Sequence, residues 1–146
     1  MTIRLSVADL TPTTLEAMYG LSNASKKNSL DPRLQELVQV RVSQVNGCAY
    51  CVDLHTGRAR AAEEDQRRLD LLPVWREAPG FSDRERAALA LAEAVTNLSA
   101  GVPDEVWEAA AGWFDERELA ELLWVVATVN TWNRVVATTR AWEVAR

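Results

Sequence analysis

Several things are missing from this sequence, and each absence excludes something. No apolar run approaches the ~20 residues that a helix needs to cross a bilayer; the longest, near LLWVVATV, is far shorter, so no membrane partner is expected. The opening MTIRLSVADL has neither a sustained apolar run nor a small-residue cleavage site, which argues against a secretory signal and for a cytoplasmic protein. An excess of positive charge is also lacking. Sixteen Lys and Arg stand against 21 Asp and Glu, a net charge of −5, and the bases are mixed with acids, as in RLDLLPVWREA and SDRERAA. Nothing forms the basic stripe that binding a phosphate backbone demands, so no nucleic-acid partner is expected. Alternating β-branched runs are missing too, and the few glycines and prolines sit at punctuation points. That leaves helices.

What is present is ordinary in bulk. Apolar residues make up 48% and charged residues 25%. The 146 residues suit one domain, 1–146, long enough to bury roughly 70% of its unfolded surface without a covalent staple. Thr11-Pro12 opens a first helix through Met18, and ASKKNSLDP reads as a polar connection. Asp31 is an N-cap with Pro32 at the first helical position, for a helix to Val45 that buries Leu34, Leu37, Val38 and Val45. Asn46-Gly47 breaks it. A new helix runs from about Cys48 to Ala62, and a short one from Glu64 to Leu72. Ser82 with Glu85 and Asp115 with Glu118 are capping boxes, the first for a helix to about Leu98, the second for a long helix to about Arg140. Between them, Pro103 starts a helix to about Phe114. The fold class is therefore an all-α bundle.

Six tryptophans are many for this length. Core packing is their first explanation; contacts with other subunits by Trp124, Trp132 and Trp142 are the second. Asn130 and Asn133 lie on the apolar stripe of the last helix with Leu119, Leu122, Leu123 and Val126. Two amides there must find partners if buried, so they are expected to tie helices or subunits together.

Both cysteines and the only histidine fall within NGCAYCVDLHTG, Asn46 to Gly57. At ~100° per residue, Cys48, Cys51, Val52, His55, Ala59 and Ala62 share one helical face. The i, i+3 spacing of the cysteines lets their sulfurs form a disulfide, and the i, i+4 spacing lets His55 exchange a proton with Cys51. Three readings compete. Zinc needs four ligands, or three and a water, and the chain offers no second Cys pair or further His, while Asp53 points elsewhere. Two buried thiols and a satisfied core histidine is a second. A redox dithiol, its thiolate favoured by the helix N-terminus, is the third. No βαβ pattern surrounds the CxxC, so a thioredoxin fold is excluded. Glu36, one helix earlier, near Val40 and Ser43 and off the main apolar stripe, is the carboxylate that could orient His55.

Glu36, Cys48, Cys51 and His55 have the spacing Glu-x11-Cys-x-x-Cys-x-x-x-His. This resembles the alkylhydroperoxidase AhpD-like core of the carboxymuconolactone decarboxylase family. The flanking LVQVRVSQVNGCAYCVDLHT, the following AEEDQRRLDLLPVWREAPGFSDRERAALALAEAVT and the late TWNR are similar to that family as well, over about Asp31 to Arg140. The resemblance implies an AhpD-like helical bundle assembling into homotrimers or hexamers, and peroxide reduction with no cofactor and no metal. Carried over by position, Cys51 attacks the peroxide and becomes a sulfenic acid, Cys48 resolves it into a Cys48–Cys51 disulfide, and His55 with Glu36 forms the proton relay. A protein or lipoyl dithiol then reduces the disulfide. The helix dipole alone favours Cys48 as the more acidic thiol, whereas the His55 spacing favours Cys51, in agreement with the resemblance. One position departs from the family's peroxidase form, which resembles Cys-x-His-Cys: here Tyr50 replaces that histidine, and a phenol of pKa near 10 is a poor base at neutral pH. Two other functions compete: a decarboxylating lyase, as the family name suggests, and a non-enzymatic redox sensor whose disulfide alters assembly.

Overall fold

The computed structural model describes residues 2–146, all helices and connections. The order is α1 (Val7–Leu10), α2 (Pro12–Lys26), α3 (Pro32–Val45), α4 (Ala49–Ala61), α5 (Gln66–Leu71), α6 (Asp83–Thr96), α7 (Asp104–Trp113) and α8 (Glu116–Thr139), with single 3₁₀ turns at Leu72–Val74 and Leu98–Ala100. No helix among the described residues is long and apolar enough to cross a membrane.

The caps read from the sequence are in place. Asp31 accepts from the Arg33 amide at the start of α3. Ser82–Glu85 and Asp115–Glu118 both close as reciprocal capping boxes, each satisfying amides that a helix start leaves orphaned. At the other end of α3, Gly47 adopts φ +67°. That left-handed conformation lets the Gly47 amide bond to the Gln44 carbonyl and the Cys48 amide to that of Ser43, and glycine adopts it without the penalty of a Cβ. The chain then reverses into α4.

α3 is the centre of the molecule. It packs on α4, α6 and α8, and Leu37, Val38, Val40 and Val42 are all fully buried. Leu89, Leu91 and Ala92 of α6 and Leu122, Val126 and Val129 of α8 complete the core, each large aliphatic contributing about 1.5–3 kcal/mol. Because three helices surround it, α3 buries more than one stripe. This explains why Val40 and Ser43, off the expected stripe, are enclosed.

Three expectations need correction. α2 runs to Lys26 rather than stopping near Met18; its last turns are held against α8 by the Tyr19–Trp132 ring contact and the Trp132–Ser22 hydrogen bond. Val45 is 43% exposed, because it is the last residue of α3 and no helix covers it there. The tryptophans are not mainly core: Trp75 is buried, but Trp107, Trp113 and Trp124 are 41%, 50% and 58% exposed, and Trp132 and Trp142 are half-buried.

The two amides on α8 do tie helices together. Asn133 is buried and donates to Ser43 Oγ of α3, while Asn130 donates to Thr96 Oγ1 of α6. Asn46, which the sequence marks only as a helix breaker, donates to the side-chain oxygens of both, at 2.9 Å each. The α3–α4 turn is thereby fixed to α8 through a polar side-chain network.

Candidate active site

α4 starts at Ala49, so Cys48 is its N-cap and Cys51 lies in its first turn. The two sulfurs are joined in a disulfide. Cys48 is 1% and Cys51 3% exposed, and together with Val136 of α8 they form a small cluster flanked by Tyr50, Trp132 and Trp142.

His55 follows one turn after Cys51 on the same face and is buried. Glu36 and His55 stand at comparable distances on either side of the Asn46-Gly47 turn, and the α3–α4 hairpin brings them level. His55 Nδ1 is 2.7 Å from Glu36 Oε2, with side-chain exposures of 8% and 15%. A carboxylate only accepts, so Nδ1 donates, and Nε2 is left as the basic nitrogen. Glu36 thus sets both the tautomer and the orientation of the ring. The four residues picked from the sequence are brought together, and the half-buried Val52 and Ala62 share their helix without entering the buried cluster.

Above the disulfide opens a cavity of about 290 Å³. Cys51 and His55 line it and Cys48 does not. Its walls come from three further places: Tyr19, Ser22 and Lys26 of α2, Tyr50 and Arg58 of α4, and Thr128 and Trp132 of α8 with Trp142 beyond it. Trp132 is positioned by donating from Nε1 to Ser22 Oγ at 2.5 Å and by edge packing on Trp142, with ring centres 6.2 Å apart. Sequence reasoning missed Ser22, Lys26, Arg58 and Thr128. The one available signal was the length of α2: had it been continued past Met18, Ser22 and Lys26 would have fallen one turn apart on a face. Among the described residues, no group of three or more His, Cys, Asp and Glu is arranged to hold a metal ion.

A helical bundle that carries a disulfide-forming cysteine pair beside a hydrogen-bonded Glu–His pair defines an AhpD-like core. The chain belongs to the carboxymuconolactone decarboxylase family, whose sequence pattern matches residues 12–94. A Bacillus subtilis relative, the uncharacterised protein YdfG, is 35% identical over 136 residues, covering 92% of each chain. Among solved structures, a protein of unknown function from Agrobacterium tumefaciens, described as a candidate antioxidant defence protein AhpD, superposes with a TM-score of 0.95 at 31% identity, over 99% of this chain and all of that one. An uncharacterised peroxidase-related protein from Silicibacter gives a TM-score of 0.80 at 25% identity, over 92% of this chain and 72% of its own.

Proposed function

We propose that the protein is a thiol-dependent peroxidase in which Cys51 is the attacking thiol, Cys48 the resolving thiol, and His55 with Glu36 the proton relay. The observation that carries this reading is the lining of the cavity: Cys51 and His55 face it, and Cys48 does not. A substrate entering there meets one sulfur and one imidazole. This supports the His55 argument for Cys51 over the dipole argument for Cys48. The peroxidase-related and antioxidant descriptions of two structural relatives support the same reaction class.

The cycle balances as follows. His55 Nε2 takes the Cys51 proton. The thiolate attacks the distal oxygen of ROOH, the O–O bond breaks, and the departing alkoxide takes the proton to leave as ROH. Cys51 is now a sulfenic acid, and Cys48, one helical turn away, displaces its hydroxyl as water to form the disulfide. A dithiol such as a lipoyl group returns two electrons by exchange. Its first attack falls on Cys51, the sulfur that lines the cavity, and Cys48 leaves as a thiolate at the N-cap of α4, where the helix dipole favours negative charge.

The family name carries decarboxylation as well, but such a lyase reaction has no use for a dithiol in the substrate cavity. The test is peroxide consumption with dihydrolipoamide as donor, wild type beside Cys51→Ser. Turnover by the wild type and its loss in Cys51→Ser is the expected result. Failure of the wild type to consume hydrogen peroxide or cumene hydroperoxide would overturn the proposal. Sulfenic-acid trapping in the two single Cys→Ser variants tests the roles: labelling of Cys48 rather than Cys51 would reverse them.

A further inference from the structure

The cavity is built for something larger than hydrogen peroxide. Its volume of about 290 Å³ lies near the lower end of the ~300–1,000 Å³ that organic ligands occupy. Tyr19, Tyr50, Leu54, Trp132 and Trp142 give its wall an apolar, aromatic side, and Ser22, Asn23, Ser25 and Gln39 a polar one. Two exposed cations, Lys26 at the end of α2 and Arg58 in the last turn of α4, share its rim. Among the described residues neither joins an ion pair, whereas Arg33, Arg41, Arg68, Arg76, Arg84 and Arg117 do. They are close enough to act on one another: burial lowers the Lys26 amine from its usual range, the Arg58 charge lowers it further, and Glu36 partly opposes both. Two like charges held together are unfavourable until an anion lies between them.

We propose that the site takes an organic hydroperoxide that carries a carboxylate, with its apolar body against Tyr19, Trp132 and Trp142 and its carboxylate between Lys26 and Arg58. This rests on the peroxidase reading and names its substrate class. The carboxylate takes no part in the chemistry. The O–O bond breaks, the distal oxygen goes to Cys51, and the product is the corresponding hydroxy acid.

The test uses a matched pair, cumene hydroperoxide bearing a para carboxylate and its methyl ester, with the two corresponding alcohols as unreactive probes. Binding of the alcohols to the oxidised protein is followed by calorimetry and by tryptophan fluorescence, since Trp132 and Trp142 line the cavity. We expect the acid to bind roughly five- to tenfold tighter than the ester at low salt, as two partly exposed ion pairs would give, with the preference shrinking as salt screens them. In the Lys26→Gln/Arg58→Gln double variant the preference falls to within about twofold. The ratio of kcat/KM for the two hydroperoxides follows the same pattern. Equal binding of acid and ester, or a preference that survives the double variant, would overturn the substrate class. A double variant that alters kcat/KM for the dithiol but leaves the acid-to-ester ratio intact would also overturn it, by assigning the cations to the reductant. Consumption of both hydroperoxides without charge preference would leave the peroxidase reading standing alone. The expected binding preference with neither hydroperoxide consumed would remove the peroxidase reading, and the hydroperoxide with it.

Discussion

Replacing Glu36 with Gln isolates the charge of the relay from its shape. Gln is nearly isosteric, and its amide oxygen can still accept from His55 Nδ1 across the 2.7 Å contact. What disappears is the negative charge beside an imidazole that, in the proposed cycle, becomes a cation when it takes the Cys51 proton. A hydrogen bond to a charged group is worth about 1.5–3 kcal/mol and a neutral one about 0.5–1.5. With both side chains largely enclosed, the difference of about 1–2 kcal/mol is realised with little screening by water. At about 1.4 kcal/mol per tenfold, oxidation of the reduced protein should slow by roughly five- to thirtyfold. The assay is a single-turnover mixing experiment with excess cumene hydroperoxide, read by tryptophan fluorescence, because Trp132 and Trp142 pack on the cysteine cluster. Glu36→Asp keeps the charge but shortens the reach, so it should recover part of the rate. A Glu36→Gln protein oxidised within twofold of the wild-type rate would refute the relay. Equal collapse of both variants would show that position rather than charge is what Glu36 supplies.

Three further perturbations probe the scaffold. Asn46→Ala removes the donor to Asn130 and Asn133 and leaves Asn133 Oδ1 enclosed without a partner, so thermal unfolding should show a loss of about 1–3 kcal/mol; an unchanged midpoint would mean that the network carries no stability. Gly47→Ala places a Cβ at φ +67° in open space, so the cost is backbone strain alone, about 1–2 kcal/mol in denaturant unfolding; no change would show that the turn relaxes. Burial would raise the Glu93 carboxyl, but hydrogen bonds from Trp75, Arg41 and Arg76 outweigh it and hold it below the usual range. The unfolded chain then binds the proton more readily, so this contribution is fully present above the ordinary carboxylate pKa of about 4.3 and is lost as pH falls through the lower folded value. Urea unfolding from about pH 6 to about pH 3 should show a shallower acid loss in Glu93→Gln than in the wild type; identical slopes would remove Glu93 from the linkage.

The hairpin that holds both cysteines, His55 and Glu36 was legible because its signals are local. Asp31-Pro32, Asn46-Gly47 and the CxxC-x-x-x-His spacing each fix a backbone feature within a few residues, and the two capping boxes do the same for α6 and α8. The cavity was not legible, because its walls come from elements far apart in sequence. Tyr19 and Ser22 of α2 meet Trp132 of α8 only through tertiary packing, and polar SNASKK has no pattern that announces a helix lining a site. The tryptophans mislead for a related reason. Periodicity assigns apolar residues to the core, but α3 and its aliphatic neighbours already fill it, so Trp107, Trp113 and Trp124 remain outside. Asn46 looked like a breaker and is one, but its side chain does more by joining α3 to α8.

Tyr50, the one departure from the motif, can be weighed against this geometry. It lines the cavity and packs on the cysteine cluster. In the proposed cycle the proton taken from Cys51 and the proton delivered to the departing alkoxide are the same proton, and one nitrogen, His55 Nε2, can carry it through both transfers. A second imidazole at position 50 is therefore not required by the proton count. A phenol ring there instead makes the wall beside Cys51 less polar, which in the proposed reading suits an organic peroxide better than hydrogen peroxide. In that reading the substitution bears on the substrate, while the proposed relay from Glu36 through His55 to Cys51 keeps every group it uses.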